Sequence, residues 1–241
     1  MLDSSSVHIF PDSDRLISEC SRDLNDYLGS IANTLDRPPR LVLTGGRLGQ
    51  ALVSSLAAQN SAFGKLGAWI SWGDERLVPY DSPESNSGEA LLRFPELRGS
   101  ELFQFSVAGS LTECRDRSDA ELAAWLRPHD SDPLFELVLL GIGEDGHVAS
   151  LFPGAVYPPA GAGGLVAGVE DSPKPPRQRL TLTLSTLNRS RAVWFLAAGS
   201  EKQQAVSESM DPSGSIPASM VRGQVETRWY LEQNAAPEGQ S

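Results

Sequence analysis

The spacing of hydrophobic positions changes repeatedly along the chain. Between residues 14 and 36, Leu16, Ile17, Cys20, Leu24, Tyr27, Leu28, Ile31 and Leu35 recur at intervals of three and four, which predicts an amphipathic helix. Arg40-Leu41-Val42-Leu43-Thr44 is then a short apolar run stopped by Gly45-Gly46, and a second helical pattern passes through Leu48, Ala51, Leu52, Leu56 and Ala57. Residues 68–72 read as a strand, 135–141 as a strand buried on both faces, and 192–197 as another apolar run. Residues 102–107 and 179–184 alternate as half-buried strands do, and Thr227-Arg228-Trp229-Tyr230-Leu231 closes the series. Residues 117–127 and 201–209 read as helices.

Strands alternating with helices imply an α/β fold: a three-layer α/β/α, Rossmann-like arrangement around a mostly parallel sheet. The longest irregular stretch runs from Pro153 to Pro176, and too little chain follows it for a second core. One domain over 1–241 is therefore expected, with 1–10 and 235–241 as flexible ends.

Composition narrows the function. Twenty Lys+Arg against 31 Asp+Glu leave a net charge of −11, which argues against nucleic acid or an anionic membrane as partner. Any anionic substrate must then meet a local basic pocket within a repulsive global field, a repulsion that salt would modestly relieve. Only Lys65, Lys174 and Lys202 are lysines. The longest apolar stretches are roughly eight residues, against the roughly 20 a membrane helix requires. MLDSSSVHIFPDSD lacks the basic and apolar regions of a secretion signal, and Cys20 and Cys114 form no Cys-rich motif. Buried free thiols in a reducing cytoplasm are the expectation. His8, His129 and His147 show no metal-ligand spacing, so no metal is expected, and His8 and His129 read as structural.

Four polar segments each follow directly after an apolar strand: Thr44-Gly45-Gly46-Arg47, Gly73-Asp74-Glu75-Arg76, Gly143-Glu144-Asp145-Gly146-His147 and Gly199-Ser200-Glu201-Lys202. Ligands bind at the carboxyl ends of strands in open parallel sheets, so the four are expected to converge on one crevice. Gly45-Gly46 reads either as an anion site at a helix N-terminus or as a tight turn requiring positive φ. The Asp74-Glu75-Arg76 run reads as a surface charge cluster or helix cap, or as a carboxylate placed to orient a water or a histidine. His147 lies in a glycine-rich turn just after the acids Glu144 and Asp145, and the ordinary histidine pKa of ~6.5 suits proton transfer in both directions. There is no Gly-x-Ser-x-Gly elbow, and neither cysteine neighbours a histidine, which leaves general acid–base chemistry. Lys202 opens a helix as an anion contact. Arg179 either begins an antiparallel strand or reaches in from the loop before it.

Taken together, WGDERLVPYDSPESNSGEALL (72–92), ELVLLGIGEDGHVASLFPG (136–154), RLTLTLSTLN (179–188) and GSEKQQAV (199–206) resemble the 6-phosphogluconolactonases, within the glucosamine-6-phosphate isomerase/6-phosphogluconolactonase family. The resemblance runs from about Leu41 to Ala235. It implies a fold shared with glucosamine-6-phosphate deaminase and ribose-5-phosphate isomerase. The implied activity is cofactor-free hydrolysis of 6-phospho-D-glucono-1,5-lactone, a small-molecule substrate; a cytoplasmic monomer is the expectation, with an oligomer kept as the alternative. By the family pattern His147 is the acid–base residue and Asp74 and Asp145 hold its geometry and charge. Arg76, Arg179 and Lys202, with the Gly45-Gly46 turn, would hold the phosphate and the sugar hydroxyls. Where many members carry Gly-Gly-Ser-Thr-Pro, this chain has Gly45-Gly46-Arg47-Leu48-Gly49, so the hydroxyl ligands are missing and Arg47 is the residue in place to substitute. Two alternatives stand beside this reading. A deaminase would carry Asn-Glu-Pro where Ser150-Leu151-Phe152-Pro153 stands, and a phosphosugar sensor would show eroded acid–base residues or a DNA-binding segment.

Overall fold

The computed structural model describes residues 4–59, 67–127, 133–155, 163–211 and 213–239. Its strands are β1 (Ser4–Phe10), β2 (Arg40–Leu43), β3 (Trp69–Trp72), β4 (Asp74–Arg76), β5 (Glu101–Leu102), β6 (Phe135–Gly141), β7 (Val166–Val169), β8 (Arg179–Leu182), β9 (Ser190–Ala197) and β10 (Glu226–Glu232). The α-helices are α1 (Ser13–Ala32), α2 (Gly46–Ala58), α3 (Asn86–Arg93), α4 (Leu111–Leu126), α5 (Leu184–Leu187), α6 (Gln203–Met210) and α7 (Pro217–Met220).

Seven strands form one sheet in the order β1-β10-β9-β6-β2-β3-β5. Every pairing in it is parallel. The chain builds outward through β2, β3 and β5 on one side and through β6, β9 and β10 on the other, so the order reverses between β2 and β6. That reversal separates the connections leaving β2 and β6 and opens a crevice above their carboxyl ends. The expected mostly parallel α/β sheet with flanking helices is the architecture observed. β6 and β9, at the centre, are almost wholly buried, which is why they read as continuous apolar runs rather than alternating ones.

α1 shows how local sequence meets the core. Asp12 caps it by accepting from the Arg15 N–H at 2.7 Å, and Leu16, Cys20, Leu24, Leu28 and Ile31 form its buried stripe. Both cysteines are free and buried, and burial pushes the Cys20 thiol well above its ordinary value.

Three readings change. Ser4–Phe10, read as part of a flexible end, is a seven-residue edge strand paired with β10. At the other end Ala235 and Ala236 are buried in the core rather than loose. The alternation of 102–107 produces only a two-residue strand. Beyond it the backbone turns to α4 instead, where the Ser118 hydroxyl accepts from the Ser106 N–H at 2.8 Å.

A second sheet, β4-β8-β7, is antiparallel and holds three strands. The main sheet hands over to it at Gly73: its N–H donates to Leu43 O on the β2 side, and its carbonyl accepts from Leu182 N on the β8 side. β7 lies within the 153–176 stretch read as irregular. β8 is antiparallel, which answers the question Arg179 raised. Among the described residues no helix is long and apolar enough to cross a membrane. His8 stacks on Tyr230, as a structural histidine would, and His129 lies outside the described residues.

Candidate active site

A cavity of about 530 Å³ lies over the carboxyl ends of β2 and β6, and all four polar segments contribute to its wall. Gly45, Gly46, Arg47, Asp74, Arg76, His147, Arg179 and Lys202 line it. Asp145 stands behind His147.

The histidine is held by its own turn. Asp145 Oδ1 lies 2.5 Å from His147 Nδ1 and also accepts from the His147 backbone N–H at 3.2 Å. Burial works against the Asp145 charge, but the His147 charge and these hydrogen bonds outweigh it and hold the carboxyl below its ordinary range. An ionised carboxylate only accepts, so Nδ1 carries the proton and Nε2 is the ring nitrogen left for chemistry. The ring packs on Phe152, with centroids 4.7 Å apart.

The glycines of this turn differ in purpose. A Cβ on Gly143 would sit 2.0 Å from His147 Nδ1, so this position is bare to admit the ring. Gly146 alone of Gly141, Gly143 and Gly146 has positive φ, at 80°. Three residues later Ala149 adopts φ 49°, a conformation that costs an L residue about 1 kcal/mol.

The Asp74-Glu75-Arg76 run divides by strand alternation. Asp74 and Arg76 face the cavity, whereas Glu75 is fully buried on the opposite side. Glu75 accepts from the backbone N–H groups of Asn86 and Ser87 at 2.7 and 2.9 Å, capping α3, and from the Ser85 and Ser87 hydroxyls. The helix-cap reading is right for Glu75. Asp74 does not pair with the histidine. It accepts from Asn86 Nδ2 at 3.0 Å and from the Ser150 hydroxyl at 2.6 Å.

The cationic wall is unusual. Arg76 and Arg179 are direct cross-strand partners on β4 and β8, a placement of like charges that is destabilising unless an anion lies between or beside them. Burial lowers the Arg179 pKa; the Asp74 charge resists that and the Arg76 charge adds to it. Arg179 is 5% exposed and anchored by the Lys174 and Pro176 carbonyls at 2.8 and 3.0 Å, which aims it rather than neutralising it. Among the described residues, buried Arg76 Nε has no hydrogen-bond partner. Lys174, not among the site residues expected from the sequence, joins from the loop before β8. Lys174 and Lys202 both approach Glu144, at 3.4 and 3.8 Å.

The Gly45-Gly46 turn supports both of its readings. Gly46 has φ 73°, and Gly45 packs so closely on Asn86 that a Cβ would lie 1.9 Å from its Oδ1. Gly45 also begins α2 without a side-chain cap or an acidic first turn, and the uncapped first turn, Gly45 to Arg47, lines the cavity. Asn86 and Lys174 are the polar lining residues that sequence reasoning missed. Asn86 lay inside a recognised motif, but Lys174 sits in a proline-rich loop with no periodicity to mark it.

A family model described as glucosamine-6-phosphate isomerases/6-phosphogluconolactonase matches residues 11–229. The chain is 37% identical over 246 aligned positions to a 6-phosphogluconolactonase of Mycobacterium tuberculosis, covering 97% of this chain and 98% of the relative. It is 38% identical over 213 positions to one from Streptomyces coelicolor, covering 81% and 80%. The crystal structure of the 6-phosphogluconolactonase from Thermotoga maritima superposes with a TM-score of 0.81 at 25% identity, covering 95% of this chain and all of that one. With its sheet, its cavity and its sequence in agreement, the chain belongs to the glucosamine-6-phosphate isomerase/6-phosphogluconolactonase family.

Proposed function

We propose that this protein hydrolyses 6-phospho-D-glucono-1,5-lactone to 6-phospho-D-gluconate in the pentose phosphate pathway. One observation carries the reading: a carboxylate-held histidine and four cationic side chains, Arg76, Lys174, Arg179 and Lys202, share a single cavity. The relatives named as 6-phosphogluconolactonases support it across nearly the whole chain.

The phosphate is held by Arg76 and Arg179, with Lys174 and Lys202 at the rim and the N–H groups of α2 available to its oxygens or to sugar hydroxyls. Arg47, in the first turn of α2, supplies a further positive charge where the family pattern has hydroxyls. With the phosphate fixed, the lactone carbonyl carbon faces His147. Nε2 takes a proton from water as the water oxygen bonds to that carbon, and Asp145 stabilises the imidazolium that forms. The tetrahedral intermediate collapses by breaking the bond from the carbonyl carbon to the ring oxygen. His147 returns its proton to that oxygen, and the new carboxyl group ionises to the product carboxylate.

Arg179→Ala and Lys202→Ala should each raise KM for the phosphorylated lactone by roughly 10–100-fold with kcat little changed, since a hydrogen bond to a charged group contributes ~1.5–3 kcal/mol. Unphosphorylated gluconolactone should show no such rise. An unchanged KM in both variants would place the phosphate elsewhere.

A further inference from the structure

The Ser-Leu-Phe-Pro-Gly stretch after His147 has no part in the reaction as described, yet its first residue is among the most constrained in the molecule. Ser150 is 1% exposed. Its hydroxyl donates to Asp74 Oδ2 at 2.6 Å, and its N–H donates to Thr181 Oγ1 at 3.3 Å. Asp74 is held from the other side, where Asn86 Nδ2 donates to its Oδ1 and its backbone carbonyl at 3.0 and 2.9 Å. One serine thus ties the histidine turn to β4, to β8 and, through Asp74, to α3.

The turn requires such a tie. Ala149, between His147-Val148 and Ser150, keeps its left-handed φ of 49° in a short turn closed by the Leu151 N–H to Val148 O bond. A conformation of this kind persists only where its surroundings over-determine it. Asp145 fixes the ring from inside the same turn, so it cannot fix the turn relative to the cationic wall. Ser150 can, because Asp74 and Thr181 are cross-strand partners on the β4–β8 wall that carries Arg76 and Arg179.

We propose that Ser150 is a positioning residue. Through Asp74 it sets the His147 turn at the distance from the phosphate-binding wall that the lactone requires. Asp74, on this account, acts chiefly as the anchor for Ser150 and not as a partner of the histidine. The proposal's activity arm rests on the lactonase reading, whereas its spectroscopic arm does not.

The test combines NMR of the histidine rings with lactone kinetics. The chain has three histidines, so His147 signals are assigned by comparison with His147→Ala. Ser150→Ala should shift the His147 ring resonances and lower kcat roughly 10-fold or more, because small misplacements of a reacting group are costly. KM should stay within about twofold, since the wall itself is untouched. Ser209→Ala, which removes an equally buried hydroxyl from α6, should change neither readout. Ser150→Cys, nearly isosteric with a weak donor, should shift the ring in the same direction and serves if Ser150→Ala does not fold. Unshifted His147 resonances in the folded variant, or shifted resonances with wild-type kcat, would overturn the proposal. If the wild-type protein does not hydrolyse the lactone, the functional reading fails, and the ring resonances alone decide the part of Ser150.

Discussion

Gly143 is bare because the His147 ring fills the place of its side chain. A methyl group there would lie 2.0 Å from Nδ1 and 2.6 Å from Asp145 Oδ1, so ring and carboxylate cannot both keep their positions. Gly143→Ala should therefore lower kcat roughly 100-fold or more, with the protein still folded by circular dichroism. Retention of half the wild-type kcat would show that the ring is not held where the geometry puts it. Single residues also show how sequence reading divides. His147 was legible because a histidine just after two acids in a glycine turn is chemically conspicuous. That Asp145 rather than Asp74 orients it was not, since spacing along the chain does not reveal which carboxylate the turn folds back. The division of Asp74-Glu75-Arg76 is a matter of strand alternation, and it becomes visible only once β4 is known to be a strand.

At the scale of elements, the central strands were the most legible because burial on both faces leaves an unbroken apolar run. β6 illustrates what that burial is worth. Leu139, 1% exposed and opposite Trp194 of β9, lies in the middle of the sheet and away from the cavity. Leu139→Ala should cost about 2–5 kcal/mol, lowering Tm by roughly 4–20 °C. In a thermal melt paired with an assay at low temperature, kcat of the folded fraction should remain within about twofold of wild type. A Tm within a degree of wild type would contradict the placement. β1 escaped notice for the opposite reason: Ser4-Ser5-Ser6 is polar, and an edge strand in parallel register needs its backbone bonds more than an apolar face. The alternating 102–107 stretch overstated β5 because β3, its partner, is only four residues long. α4 begins six residues earlier than its apolar spacing indicated. Its start lies in a capping box, where Ser110 and Glu113 satisfy each other's backbone N–H groups. β8 was legible as an alternating strand, but no local pattern announces β7 or the sheet the two form with β4, since that pairing depends on the chain leaving the main sheet at Gly73.

For the whole molecule, the expectation that four strand-end segments would meet is fulfilled by the strand order. Reversal between β2 and β6 brings the Gly45-Gly46 turn and the His147 turn to the same crevice, and the small antiparallel sheet adds the arginine wall. A net charge of −11 coexists with a cavity lined by Arg47, Arg76, Lys174, Arg179 and Lys202, so attraction for an anion is confined to the site and the remaining surface repels it. Two of the three lysines stand at that rim. The central claim is that His147 performs acid–base hydrolysis of a phosphorylated lactone here. The most direct measurement follows freshly generated 6-phosphogluconolactone in a coupled assay with wild-type protein, His147→Ala and a no-enzyme control, because the lactone also opens unaided. Wild-type protein should exceed the control decisively, and His147→Ala should fall by roughly 10²–10⁴-fold, the usual general acid–base contribution. A wild-type rate equal to the control, or near wild-type turnover by His147→Ala, would contradict the account.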